Sequence, residues 1–150
     1  MIIDAISGDV FNSPHKHIAF ALRITGRKSS SIVEQVDSKF DTGFSSTTDN
    51  ELGTVVSESK GDMNFHGLVC HGGSGVWWEK APQSITKALD AIESDDDDII
   101  AVVLMGYGLM SLMSGVDIKK NIEAIHKSKK PCVVYALNSD VKEVVFEIIE

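Results

Sequence analysis

At 150 residues the chain is the size of one domain, and with 43% hydrophobic residues it can bury roughly two-thirds of its unfolded surface in a core. Its formal charge of −8 excludes general nucleic-acid binding, which needs a clustered excess of Lys and Arg, and leaves Arg23, Arg27 and Lys28 as candidates for a local basic patch. No stretch is long enough to span a bilayer and the start lacks a secretory pattern; Cys70 and Cys132 each sit in an apolar run. A cytoplasmic protein with two reduced, unpaired thiols and no membrane partner is therefore expected.

Ile2 to Ile6 reads as a first strand, left through Ser7-Gly8-Asp9-Val10-Phe11. Asn12-Ser13-Pro14 forces a turn, because proline pushes the residue before it out of the helical region. His15 and His17 flank Lys16. Two such ligands without a Cys or carboxylate cluster make a poor metal site, so a surface turn is the preferred reading over a phosphate or metal site. Ile18 to Ile24 is the second strand, apolar except at Arg23. A polar loop, Thr25 to Ser31, ends in hydroxyls suited to capping a helix whose inner face carries Ile32, Val33, Val36 and Phe40. Asp41 to Asn50 has no sustained period and is expected to be a mobile loop. Leu52 to Ser59 and Asn64 to His71 read as a hairpin around Lys60-Gly61-Asp62.

The second hairpin strand runs into Gly72-Gly73-Ser74-Gly75, with Trp77 and Trp78 close behind. A helix is predicted over Pro82 to Glu93, with Pro82 in its first turn and Ile85, Ala88, Leu89 and Ile92 as its apolar stripe. Beyond Asp95 to Asp98, the unbroken apolar run Ile99 to Met105 suits a central parallel strand buried on both faces. Gly106 and Gly108 follow, then from Val116 a helix presenting Ile118, Ile122 and Ile125. Cys132 to Leu137 is a last strand, and Asn138-Ser139-Asp140 caps a terminal helix, 141–150, facing inward with Val141, Val144, Val145 and Ile149. With no repeat and no linker, this predicts a single domain over 1–150. Its class is α/β, with a mixed, mostly parallel sheet.

Strand, glycine loop, helix is the order that places ligands at the carboxyl ends of strands in open α/β sheets. Gly106 to Gly115 is thus a candidate binding loop, with a plain tight turn as the alternative. His71, at a strand end beside glycines, could protonate a leaving group or activate water, or merely cap the sheet's rim. Trp77 and Trp78 could stack on a base or pack against the next helix. Met105, Met110 and Met113 read as core and loop filling, and Asp95 to Asp98 as a solvated connection without calcium-loop spacing. Asp9 stands at a strand exit, a position where polar side chains can meet a ligand.

Taken together, the pieces resemble a macrodomain, in particular the branch of the terminal ADP-ribose protein glycohydrolases. The resemblance begins at Ser7-Gly8-Asp9-Val10-Phe11 and runs through Ile18-Ala19-Phe20-Ala21, Ser38-Lys39-Phe40 and Leu68-Val69-Cys70-His71. It continues through the helix at 82–93 to Leu104-Met105-Gly106-Tyr107-Gly108-Leu109 and closes at Val133-Val134-Tyr135-Ala136-Leu137. It implies a three-layer α/β/α fold and, as partner, ADP-ribose, a derivative or an ADP-ribosylated macromolecule, with no cofactor and no metal. By the same resemblance Asp9, with Val10 beside it, would hold the adenine amino group. Ser29, Ser30 and Ser31 would form the first phosphate loop, and Gly106, Tyr107, Gly108, Leu109 and Met110 the second, with the Tyr107 ring against the distal ribose. The branch's catalytic lysine and acidic residue fall at His71 and Met110, so the lysine-adduct mechanism does not carry over. The implied activity is hydrolysis of an ADP-ribose ester or of ADP-ribose 1″-phosphate with His71 nearest the chemistry. The alternatives are a non-catalytic binding module and an interaction domain that retains only the fold and meets a protein partner.

Overall fold

The computed structural model describes residues 1–26, 31–72, 77–104, 115–136 and 139–150. Six strands, β1 (Ile2–Ser7), β2 (His17–Arg23), β3 (Val55–Lys60), β4 (Met63–His71), β5 (Ile100–Val103) and β6 (Cys132–Ala136), form one sheet in the order β1-β6-β5-β2-β4-β3. Every neighbouring pair is parallel except β3 with β4, the hairpin that the sequence predicts. Gly61 leads its two-residue turn at φ +60°, a conformation that a residue without Cβ adopts at no steric cost.

Four helices complete the layers: α1 (Ser31–Phe40), α2 (Trp77–Asp90), α3 (Gly115–Lys127) and α4 (Ser139–Ile149). One core unites α2, α3 and α4 with alternate strand residues such as Ala19, Leu68, Ile100, Val102 and Val134. The opposite core sets Val33 and Val36 of α1 against Ile18, Phe20, Leu22, Phe65 and Val133. Successive strand residues feed opposite faces, which is why β2, β5 and β6 are apolar throughout their middles. The architecture is the expected three-layer α/β/α fold with a mixed, mostly parallel sheet. The C-terminal helix α4 lies on β1 and α3, with Val145 fully buried.

Several local expectations are corrected. The segment 41–50 is tied down rather than loose. Its single aromatic, Phe44, is fully buried and meets Phe20 edge-on at 5.0 Å, while Asp37 accepts the backbone N–H groups of Phe44 and Ser45. A polar composition hid one anchoring side chain. Helix α2 begins at Trp77, so Pro82 stands inside the helix rather than in its first turn, at the cost of one backbone hydrogen bond. Strand β5 is shorter than the apolar run that announced it, spanning Ile100–Val103. His17 is not part of a surface turn. It opens β2, is only 7% exposed, and contacts His66 and Asp98, so the acidic run 95–98 is not wholly a solvated connection.

Candidate functional site

Because β1, β6, β5, β2 and β4 run parallel, their carboxyl ends collect at one rim, where backbone groups beyond the last sheet bonds remain available to a ligand. Three side chains singled out in the sequence stand there. Asp9 lies two residues past β1, exposed, with its backbone extended at φ −83°, ψ 118°. Its Oδ1 accepts the Phe11 N–H at 2.9 Å and so caps a short 3-10 turn, Val10–Asn12. Val10 is buried in the core that α1 covers, which fixes the turn and with it the carboxylate.

At the far side of the rim, β2 and β4 end together. The register shifts between Leu22 and Arg23, so that Arg23 pairs with His71 and Cys70 is passed over. The Ile24 N–H donates to the His71 carbonyl at 3.1 Å, and Asn50 holds the same segment by donating from Nδ2 to the Arg23 carbonyl at 3.2 Å. Gly72 then turns the chain at φ +98°. A Cβ there would sit 3.1 Å from Ile24 Cγ1 and 3.4 Å from Arg23 Nε, contacts that small side-chain shifts can absorb, so it is the positive φ of the turn that favours glycine.

His71 is 5% exposed. Burial first, and then the neighbouring Arg23 guanidinium, disfavour its charged form and bring its pKa down to about 4. At neutral pH it is an uncharged imidazole, able to hold a water or a hydroxyl by hydrogen bonding but carrying no imidazolium proton to give. Among the described residues, Arg23, half-buried and held beside the imidazole, brings positive charge to this end of the sheet. Burial pushes the Cys70 thiol up to about 12, which removes it as a nucleophile.

Arg23 is the residue whose place here the sequence reading did not identify. In the sequence it stands with Arg27 and Lys28 as a candidate for a local basic patch, and its position as the lone charge in an apolar strand is the available signal. Of the other expected ligand contacts, Ser29 and Ser30 and the whole of Gly106, Tyr107, Gly108, Leu109 and Met110 lie outside the described residues. So do the side chains of Ser31, Trp77 and Trp78, although the backbones of these three open α1 and α2. Among the described residues no group of three or more His, Cys, Asp or Glu side chains could hold a metal ion, and no helix is long and apolar enough to cross a membrane.

No protein-family model and no curated protein matches the chain. Solved structures do resemble it. The macrodomain of Mycobacterium tuberculosis DarG superposes with a TM-score of 0.64 at 14% identity, over 90% of this chain and 97% of that one. A structure described as the IBV X-domain at pH 8.5 gives a TM-score of 0.63 at 14% identity, covering 98% of this chain and 96% of that one. An alphavirus protein described as P23pro-zbd gives a TM-score of 0.72 at 11% identity over 96% of this chain, which spans only 23% of its length. At such identities the likeness is one of fold, and the fold of this chain is macrodomain-like.

Proposed function

We propose that the chain binds ADP-ribose or a close derivative along the rim formed by the carboxyl ends of its parallel strands. The observation that supports this reading is the joint placement of Asp9 and the Arg23–His71 pair on that rim in a macrodomain-like fold. Asp9 would accept the adenine amino N–H, an interaction that fixes the base and breaks no bond. The diphosphate would lie between Ser29, Ser30 and Ser31, which follow β2 in the chain, and Gly106 to Met110, which follow β5. Arg23 adds a cation near the anionic ligand.

Turnover is a separate part of the proposal. With His71 uncharged, it would position or deprotonate a water against an ADP-ribose ester or ADP-ribose 1″-phosphate, and it would not act as the acid at neutral pH. His71→Ala should then abolish product while leaving affinity nearly unchanged. Binding with no product at any protein concentration would make the chain a recognition module.

Isothermal titration with ADP-ribose, with AMP as control, tests the binding. Micromolar affinity that falls about tenfold or more in Asp9→Ala, the ~1.4 kcal/mol of one charge-assisted contact, supports the reading. Asp9→Ser separates the ligand contact from the cap, since a serine can still accept the Phe11 N–H but is too short to reach a base. No heat at millimolar ADP-ribose overturns the proposal.

A further inference from the structure

A second polar constellation lies near the other end of the same sheet. Asp98 lies two residues before β5, His17 opens β2, His66 stands in β4 and Ser57 in β3, so three neighbouring strands and the segment leading into a fourth each bring one residue to a continuous row. His17 is six residues, roughly 20 Å at strand spacing, from Arg23 at the rim. The Asp98 Oδ2 is 3.3 Å from His17 Nε2, His17 Nδ1 is 2.9 Å from His66 Nε2, and His66 Nδ1 is 2.7 Å from Ser57 Oγ. The two imidazoles lie within 12° of parallel with centroids 5.1 Å apart. That separation is what a 2.9 Å N···N contact and two ring radii make end to end, so each nitrogen aims at the other within nearly one plane. Both rings are buried, at 7% and 3% exposure, and the row emerges at the exposed Ser57 on the sheet's outer strand.

The order of protons along this row follows from its acidic end. An ionised carboxylate only accepts, so His17 Nε2–H donates to Asp98, and in the uncharged tautomer His17 Nδ1 is a lone pair facing His66. His66 must donate to it from Nε2, which leaves a lone pair at His66 Nδ1 facing Ser57. The Ser57 hydroxyl therefore donates to His66. Burial first, then the nearby His17 and Lys130, lower the His66 pKa to about 4, which keeps that nitrogen an acceptor at neutral pH.

We propose that Ser57 is an activated nucleophile at a second site, taking acyl groups from small esters with good leaving groups. Ser57 Oγ attacks the ester carbonyl carbon and its proton passes to His66 Nδ1. The His66 Nε2 proton moves to His17 Nδ1, so the positive charge comes to rest on His17 beside Asp98. Collapse of the tetrahedral intermediate breaks the bond to the leaving alkoxide or phenoxide, the protons retrace the row, and the leaving group departs as its alcohol. The products are acyl-Ser57 and one alcohol, with the row restored. A row that gains a proton reverses, because His66 Nδ1 then donates to Ser57. Reactivity is therefore lost as pH falls and the row takes up a proton, with burial first and then His17 and Lys130 holding the His66 midpoint low while Asp98 and Ser57 stand at the two ends of the row.

The test is incubation of the full chain with p-nitrophenyl acetate at neutral pH, reading nitrophenolate release and mapping the acetyl adduct by peptide mass spectrometry. Acetylation of Ser57 faster than of any other serine, about a hundredfold slower in His66→Gln and about tenfold slower in Asp98→Asn, is the expected result. Asp98 is partly exposed, so its variant keeps the test decisive if His66→Gln fails to fold. Labelling of Ser57 no faster than in the urea-unfolded chain, or equal rates in wild type and Asp98→Asn, overturns the proposal.

Discussion

Arg23 ends β2 directly opposite His71 at the end of β4, where burial disfavours the charged imidazole and the cation adds to that effect. Burial contributes the larger part. Replacing Arg23 with Gln removes the cation while retaining length and donors, so the His71 pKa should rise from about 4 toward, but not to, its usual 6.5. Titration of the imidazole C–H resonances by NMR reads this directly. A midpoint that does not move would mean that burial alone sets it.

His66 and His71 together make folding stability dependent on pH in a definite window. Both have folded pKa values near 4, below the usual 6.5, so between those limits the unfolded chain binds more protons than the folded one. Their contribution is complete above pH 6.5 and is lost as pH falls toward 4, by up to about 3 kcal/mol for each histidine. Urea unfolding at pH 7.5, 6, 5 and 4 should show a midpoint that declines over that range, with a shallower decline in His71→Gln. A midpoint independent of pH between 7.5 and 5 would contradict the buried, neutral state of both rings.

The layered fold was legible because its strands and helices carry their burial in their periods. The run from Ile99 needs cover on both faces, and Ile118, Ile122 and Ile125 repeat at one helical face. Asp9 and His71 were legible for a similar reason, since strand exits with glycine beside them stand out in a line of residues. What sequence could not show was pairing between distant positions. His17 and His66 are separated by 49 residues, and neither gives a local sign of its partner. The register shift that brings Arg23 to His71 is equally silent, because a bulge changes no residue type. The anchoring of 41–50 was hidden because one buried ring, Phe44, among polar neighbours has no period.

Gly26 marks how tightly the 41–50 segment is seated. A Cβ at this position would stand 2.1 Å from the Phe44 carbonyl oxygen and 2.5 Å from Thr47 Oγ1, and the first of these is backbone that cannot swing aside. Gly26→Ala should therefore destabilise the protein by about 1–3 kcal/mol, as overpacking does. Phe44→Ala should cost about 3–5 kcal/mol by opening a cavity beside Phe20. Both values come from denaturant midpoints. A change below about 0.5 kcal/mol in either variant would show that the segment does not bear on the core.

Asp37 organises the same segment from helix α1. Its Oδ1 accepts the Thr42 hydroxyl at 2.6 Å and the Phe44 N–H at 2.9 Å, while Oδ2 accepts the Ser45 N–H at 2.8 Å and the Ser45 hydroxyl. Burial alone would raise its pKa, but these four donors outweigh burial and hold it below the ordinary 3.8. A carboxyl with a lowered folded pKa stabilises fully above its unfolded value and loses that contribution as pH falls through the folded one. Asp37→Asn keeps the shape but turns an acceptor into a donor facing donors, so it should cost about 1–3 kcal/mol at neutral pH. The penalty should shrink below pH 3.8, where the unfolded wild-type chain begins to take up a proton at this carboxyl before the folded one does. Urea unfolding of both proteins at pH 7 and pH 3 measures the difference, and an equal penalty at the two values would show that the charge of Asp37 plays no part in holding Phe44 in place.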